Sequence, residues 1–340
     1  MTTKRIEWID IAKGITILLV IIGHNIKGVL FDIIFSFHMP LFFILSCITY
    51  KLANNKDEFI KNLKKSFIYL FGTALAMYII HSLIQIIIDW SFIISLSPKR
   101  IGFYFWDLLR IFILGSGAPF DTGKEIIAPL GLPWFLIVLF LGRTLFDLLH
   151  LTIKNKKVFY TIIFLCSVIG VIMSRIQWLP LSFDIALSIQ PFFLFGERLK
   201  TYNIEKNAKK TIIQSLIIWL TIFLVIKIGT STCLEIAIRR YPLYPLCFIS
   251  AIGGTLTVSC FSQLISKFKK ICVPIKYLGR NTVIMLWVHY FDELYKPYIS
   301  LFSNQYLNVL TILLIDIIIF IILMFIVEKT RKNKKTNLQS

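Results

Sequence analysis

Charge is scarce in this chain. Of 340 residues, only 16% are Asp, Glu, Lys or Arg, against about 25% in soluble domains. That excludes an ordinary water-soluble globule. It also excludes a disordered chain, which combines high charge with few apolar residues. Acid is scarcer than base: 18 Asp and Glu stand against 37 Lys and Arg, for a net charge of +19. Cysteine offers no framework. Cys47, Cys166, Cys233, Cys247, Cys260 and Cys272 form no C-x-x-C pair, and most lie in or beside apolar runs. They read as small buried hydrophobes, not as disulfides or metal ligands. The nucleophile elbow, the phosphate-binding P-loop and the H-E-x-x-H zinc helix are all missing.

What the chain has is apolar length. Hydrophobic residues make up 57% and the mean hydropathy is +0.77. A helix crosses a bilayer in about 20 apolar residues. Runs of that kind lie at 11–29, 31–50, 66–88, 132–149, 158–174, 184–199, 210–228, 243–266, 281–301 and 306–327. The expected fold is all-α, a polytopic membrane protein of about ten transmembrane helices. The first run is too long for a signal core and no small-residue cleavage site follows it, so it reads as a permanent span. The stretch 101–115 is apolar but carries Asp107 and Arg110. It reads as interfacial or re-entrant; as a span it would invert everything downstream.

The basic residues decide the orientation. With the N-terminus inside, 24 of the 37 Lys and Arg fall in inner segments, 9 in outer ones and 4 within spans or at their edges. Cytoplasmic segments carry the Lys/Arg excess, so both termini are expected in the cytoplasm. The same clustering between apolar runs argues against a nucleic-acid footprint. No internal repeat and no matched pair of broken helices is evident. Residues 1–328 read as one membrane domain, and 329–340 (KTRKNKKTNLQS) as a basic, disordered cytoplasmic tail.

Ionisable residues at membrane depth are costly and point to function. His24 lies 13 residues past the start of the first run, and His38 and His289 lie about seven and eight residues into theirs. At about 1.5 Å per residue all three sit inside the membrane, where they could line one polar chamber. A neutral imidazole accepts a proton near physiological pH, which suits deprotonation of an attacking hydroxyl. No carboxylate or cysteine completes a zinc-type spacing around them, so no metal is expected. His81 and His150 read as packing residues.

Cations lie on the cytoplasmic side of these histidines. Lys13 precedes His24 by roughly 16 Å of helix and Arg280 precedes His289 by roughly 13 Å. Arg143 lies in the inner half of its run. An anionic donor arriving from the cytoplasm would meet these cations first, and Arg and Lys are the usual partners of phosphate. Asp10, three residues before Lys13, either pairs with it or caps the helix. Asp292 or Glu293 could orient His289. Asp316 and Gln190 are lone polar residues at mid-span, with no role beyond lining a polar interior.

Several segments together resemble a known family. RIEWIDIAKGITILLVIIGHN (5–25) and FSFHMPLFFILSC (35–47), then LPWFL (132–136), DIALSIQPFFLFG (184–196) and LGRNTVIMLWVHY (278–290), are similar to the integral membrane acyltransferase family 3. That group includes bacterial polysaccharide O-acetyltransferases, and the likeness is greatest to the fucose 4-O-acetylase-like branch. The family's first motif has an arginine ten residues clear of a histidine. Here those positions are Lys13 and His24. Lysine keeps the charge but lacks the planar fork for bidentate phosphate contact. Cys47 stands where a glycine is usual.

The resemblance implies acetyl-CoA as the donor inside and a sugar hydroxyl as the acceptor outside. It implies His24 as the essential histidine, acting as general base or as a transiently acylated nucleophile, with Lys13 near the CoA phosphates. His38 would bind the acceptor or the developing oxyanion, and His289 the substrate. Trp134 either stacks on a sugar or sits at the outer interface, as aromatics often do. The expected function is transfer of an acetyl or similar acyl group to a surface polysaccharide or lipid-linked sugar, in the bacterial cytoplasmic membrane. A flippase of lipid-linked sugars would share the polar chamber without needing a thioester-reactive histidine. A non-catalytic accessory subunit of a polysaccharide machine would tolerate alanine at both His24 and Lys13.

Overall fold

The computed structural model describes residues 6–95, 97–202, 204–296 and 302–337. These residues are helical almost throughout. The named strands among them form a single two-residue antiparallel pair, Phe120–Asp121 with Ile126–Ile127. Seven helices are long and apolar enough to cross a membrane: Val29–Thr49, Lys56–Ile88, Trp134–Thr152, Lys156–Ile176, Ile204–Thr230, Leu246–Ile265 and Gln305–Arg331. The all-α, polytopic membrane architecture expected from hydropathy is therefore present. Of the other expected runs, one forms the 19-residue helix Glu7–Asn25, which carries Glu7, Asp10 and Lys13, and two form shorter or interrupted helices, at Phe183–Ser188 with Gln190–Leu199 and at Thr282–Phe291.

The chain divides into two compact units, Met1–Ile34 with Val258–Ser340, and Phe35–Thr257. In the first unit, the Glu7–Asn25 helix lies against the Lys269–Arg280 helix. Gly14 and Gly279 make that crossing close. A Cβ on Gly279 would lie 2.7 Å from the Asp10 carbonyl carbon and 2.9 Å from the Gly14 nitrogen. Two ion pairs flank the crossing: Lys276 Nζ to Glu7 Oε2 at 3.2 Å and Arg280 Nε to Asp10 Oδ2 at 3.1 Å. Glu7 and Asp10 occupy the first turns of their helix, where negative charge also suits the helix dipole. The last helix runs unbroken from Gln305 to Asn337. The expected domain boundary at residue 328 is therefore not a break in secondary structure.

In the second unit, two of the expected continuous spans are broken. One interruption, at Ser36–Phe37, separates Val29–Phe35 from His38–Thr49. The other, at Ile189, separates Phe183–Ser188 from Gln190–Leu199. Each break puts a proline in the first turn of the following helix, Pro40 after His38 and Pro191 after Gln190. There its missing N–H costs no hydrogen bond. The two half-helices pack on each other at Gly196, where a Cβ would lie 2.8 Å from Cys47 Cβ. The bulk of Cys47 is thus accommodated by a glycine on the facing helix.

Segments of this unit that the charge pattern assigns to one side do meet. Arg239 joins three of the expected outer segments. It donates from Nε to Asp184 Oδ2 at 2.9 Å, and from its Nη atoms to Ser116 Oγ at 2.7 Å and Ser182 Oγ at 2.9 Å. Its guanidinium lies 3.8 Å from the Trp178 ring centre. Asp147 joins expected inner segments, accepting from Tyr50 Oη and the Ala53 N–H, both at 2.7 Å, and from Asn62 at 3.3 Å. The Pro98–Leu114 helix has no fully buried side chain. It leaves Phe103, Phe105, Trp106, Leu109 and Ile113 exposed. Hydrogen bonds from its Arg110 hold the Glu125 carboxyl below its ordinary pKa.

Candidate functional site

Of the polar groups expected at membrane depth, His24, His289 and Asp316 lie in the first unit. His24 occupies the last turn of the Glu7–Asn25 helix and is exposed. His289 lies in the Thr282–Phe291 helix and is 2% exposed. Their ring centres are 5.3 Å apart, with the planes tilted by 47°. Two of the three expected histidines are therefore neighbours. His38 begins its helix in the other unit, is also 2% exposed, and packs edge-on against Phe35 at 4.6 Å.

Behind His289 lies a buried group of charges. Its Nδ1 is 2.8 Å from Asp292 Oδ2 and 3.8 Å from Asp316 Oδ2. Lys296 Nζ is 2.8 Å from Asp292 Oδ1, and the Tyr295 hydroxyl donates to Asp316 Oδ1. Of the two acids proposed to orient His289, the structure selects Asp292. The chain tightens into a 3-10 turn at Asp292–Leu294, which buries Asp292 and leaves Glu293 exposed. Asp316, for which the sequence offered no role, belongs to this group. The signal was there: a carboxylate in the middle of an apolar helix needs a partner.

His289, Asp292 and Asp316 also bring one donor atom each within 4.8 Å of one another. Those donor types suit a divalent cation. The ammonium of Lys296 already supplies a positive charge to Asp292, and the Tyr295 hydroxyl engages Asp316. The negative charge is therefore partly balanced by the protein's own side chains.

The expected donor-binding cations occupy different settings. Lys13 is half-buried, one helical turn from Asp10. Arg280 is exposed and paired with Asp10, so Asp10 engages a cation from the neighbouring helix. Arg143 donates from Nη2 to Ser66 Oγ at 2.7 Å and lies 4.4 Å from the Tyr50 ring centre. Its Nε has no hydrogen-bond partner among the described residues. Gln190 satisfies two carbonyls, donating from Nε2 to Ala186 O at 2.7 Å and Gly142 O at 3.0 Å. Trp134 is buried, and Gly117 presses on its ring so closely that no Cβ fits. A separate cavity of about 460 Å³ is lined by Phe195, Arg198, Tyr202, Thr211, Gln214 and Leu256, among others.

An exposed imidazole against a buried imidazole and carboxylate can move a proton at one end of the Glu7–Asn25 helix. The other end carries Lys13, Asp10 and the adjacent Arg280. A family model described as an acyltransferase domain matches residues 6–328. No curated protein matches the chain, and no solved structure does. The family model covers nearly the whole chain, so the protein belongs to the integral membrane acyltransferase family 3.

Proposed function

We propose that this member of the family transfers an acetyl or similar acyl group from cytoplasmic acyl-CoA to a hydroxyl of a cell-surface polysaccharide or lipid-linked sugar. The observation that carries the proposal is the placement of His24. It is exposed, in contact with a carboxylate-backed histidine, and roughly 16 Å of helix away from Lys13. That length separates the phosphates of an extended thioester donor from its reactive end. The donor's phosphates would meet Lys13, with Arg280 as a further cation, and its thioester would reach His24.

His24 then takes the acceptor hydroxyl's proton as oxygen attacks the thioester carbonyl. A C–O bond forms, the C–S bond breaks, and the proton passes to the departing thiolate. General-base assistance of this kind contributes about 10²–10⁴-fold.

We infer ten spans with both termini in the bacterial cytoplasm. The seven long helices are joined by the three other runs, which carry site residues or breaks that lower their apolar length. The Pro98–Leu114 helix then lies at the outer interface. The reading extends to the fucose 4-O-acetylase-like branch, which the quoted segments resemble.

The test joins genetics to mass spectrometry. The gene is deleted in its host and complemented with wild type or His24→Ala, and surface glycans are compared for O-acyl mass shifts. A shift restored by wild type alone supports the proposal and identifies the acceptor. Restoration by both variants would remove His24 from the chemistry and favour an accessory role.

A further inference from the structure

The group behind His289 is more elaborate than substrate binding requires. His289 is 2% exposed and its two acidic neighbours are at most 1% exposed, so none of them is placed to touch a polysaccharide. Its Nδ1 is engaged by Asp292 at 2.8 Å. An ionised carboxylate only accepts hydrogen bonds, so Nδ1 carries a proton; in the neutral ring Nε2 then holds the lone pair. Nε2 is buried, with no hydrogen-bond partner among the described residues. An orphaned acceptor at such depth costs free energy unless something uses it. The ring in contact with it is that of His24, at 5.3 Å between centres. At that separation the rings touch without an Nε2 hydrogen bond in this structure, and a turn of the His24 ring is what would bring an N–H onto Nε2.

We propose that His289, oriented by Asp292, is a positioning residue that holds His24 in its reactive tautomer and shares the charge His24 acquires. This rests on the acyltransferase reading above. The chain of donors and acceptors runs in one direction. Asp292 accepts from His289 Nδ1–H, His289 Nε2 would accept from one N–H of His24 as it reacts, and the other nitrogen of His24 would take the acceptor hydroxyl's proton. The hydroxyl proton moves to that nitrogen as the C–O bond forms. It then leaves with the CoA sulfur as the C–S bond breaks, so no proton is lost or gained by the protein over a cycle.

Charge balance fits the role. Two carboxylates, Asp292 and Asp316, share this buried group with one ammonium, Lys296. A positive charge arising on His24 next to it is compensated without water. The logic is that of a carboxylate-oriented imidazole, lengthened by one ring.

The experiment uses inverted membrane vesicles containing the full chain, with radiolabelled acetyl-CoA and the membrane's own acceptors. Wild type, His24→Ala, Asp292→Asn, Asp292→Glu and His289→Gln are compared at equal inserted amounts. Asp292→Asn keeps the shape but presents an amide to Nδ1. The expected result is a 10²–10⁴-fold fall in the maximal rate, estimated from tautomer loss in such dyads. KM for acetyl-CoA should stay within about threefold, and Asp292→Glu should recover at least tenfold of the loss. His289→Gln should reproduce the Asp292→Asn rate and decides the matter if Asp292→Asn fails to insert.

A purely structural role would instead lower the inserted amount, with no split between rate and KM. Asp292→Asn and His289→Gln rates near wild type overturn the relay while leaving the acyltransferase reading intact. Loss of wild-type activity with a chelator, restored by zinc or manganese, replaces the relay with a metal site at His289, Asp292 and Asp316. No transfer by wild type overturns both readings together.

Discussion

The close crossing at Gly279 gives a sharp test of how the fold serves the site. In Gly279→Ala the new Cβ would sit 2.7 Å from the Asp10 carbonyl carbon and 2.9 Å from the Gly14 nitrogen. Carbon atoms rest at about 3.5–4.0 Å. The obstructing atoms, with the Asp10 carbonyl oxygen the closest, are all backbone, so no side chain can swing away, and the two helices must part by about 1 Å or more. Overpacking of this kind costs about 1–3 kcal/mol. The functional cost is larger. Gly279 is ten residues before His289, on the helix that leads into the one carrying it, while Asp10 shares a helix with His24. Parting the helices moves the two imidazoles relative to one another, and a misplacement of about 1 Å can cost 10²-fold in rate. Acyl transfer in membrane vesicles should fall by about that factor, with a lower melting midpoint in detergent. Gly102→Ala is the control, since a Cβ there meets nothing within 4 Å. If Gly279→Ala matches Gly102→Ala in both rate and melting, the reasoning is refuted.

Three further outcomes are expected. Arg239→Ala removes the partner of a carboxylate whose side chain is 0% exposed and should destabilise the second unit by about 3–5 kcal/mol, read as a lower melting midpoint; Arg239→Met with Asp184→Leu should recover much of it. Lys13→Ala should raise the acyl-CoA concentration needed for half-maximal transfer, while Lys13→Arg performs as well as wild type or better; a titration of rate against acyl-CoA decides. With the native cysteines replaced, Glu205→Cys should resist an impermeant maleimide in intact cells and Glu125→Cys should react, and the reverse labelling would invert the topology.

Much of the architecture is legible because a bilayer forces it. Backbone polar groups must be satisfied within each span, so long apolar runs become helices, and Lys and Arg settle on one side. Depth arithmetic also put His24 and His289 at related levels, and the structure makes them neighbours. The breaks at Ser36–Phe37 and Ile189 were harder to see, because apolar composition continues across them. Pro40 and Pro191 were the available clue, since proline belongs in a first turn. Pairings were harder again. Asp10 meets Arg280 from a helix 270 positions away, and Asp316 meets His289 across 27 residues. Nothing in local spacing encodes such partners; they follow from which glycines let which helices approach. The role of Arg143 in tying Ser66 and Tyr50 together was hidden for the same reason.

The most direct test is acyl transfer by the protein itself. Inverted vesicles carrying wild type or His24→Ala are given radiolabelled acetyl-CoA, and label in the lipid- and glycan-bound fraction is followed over time. The account predicts steady incorporation by wild type and at least about a 10²-fold lower rate for His24→Ala at the same inserted amount. Equal incorporation by the two, or none by well-inserted wild type, would contradict it.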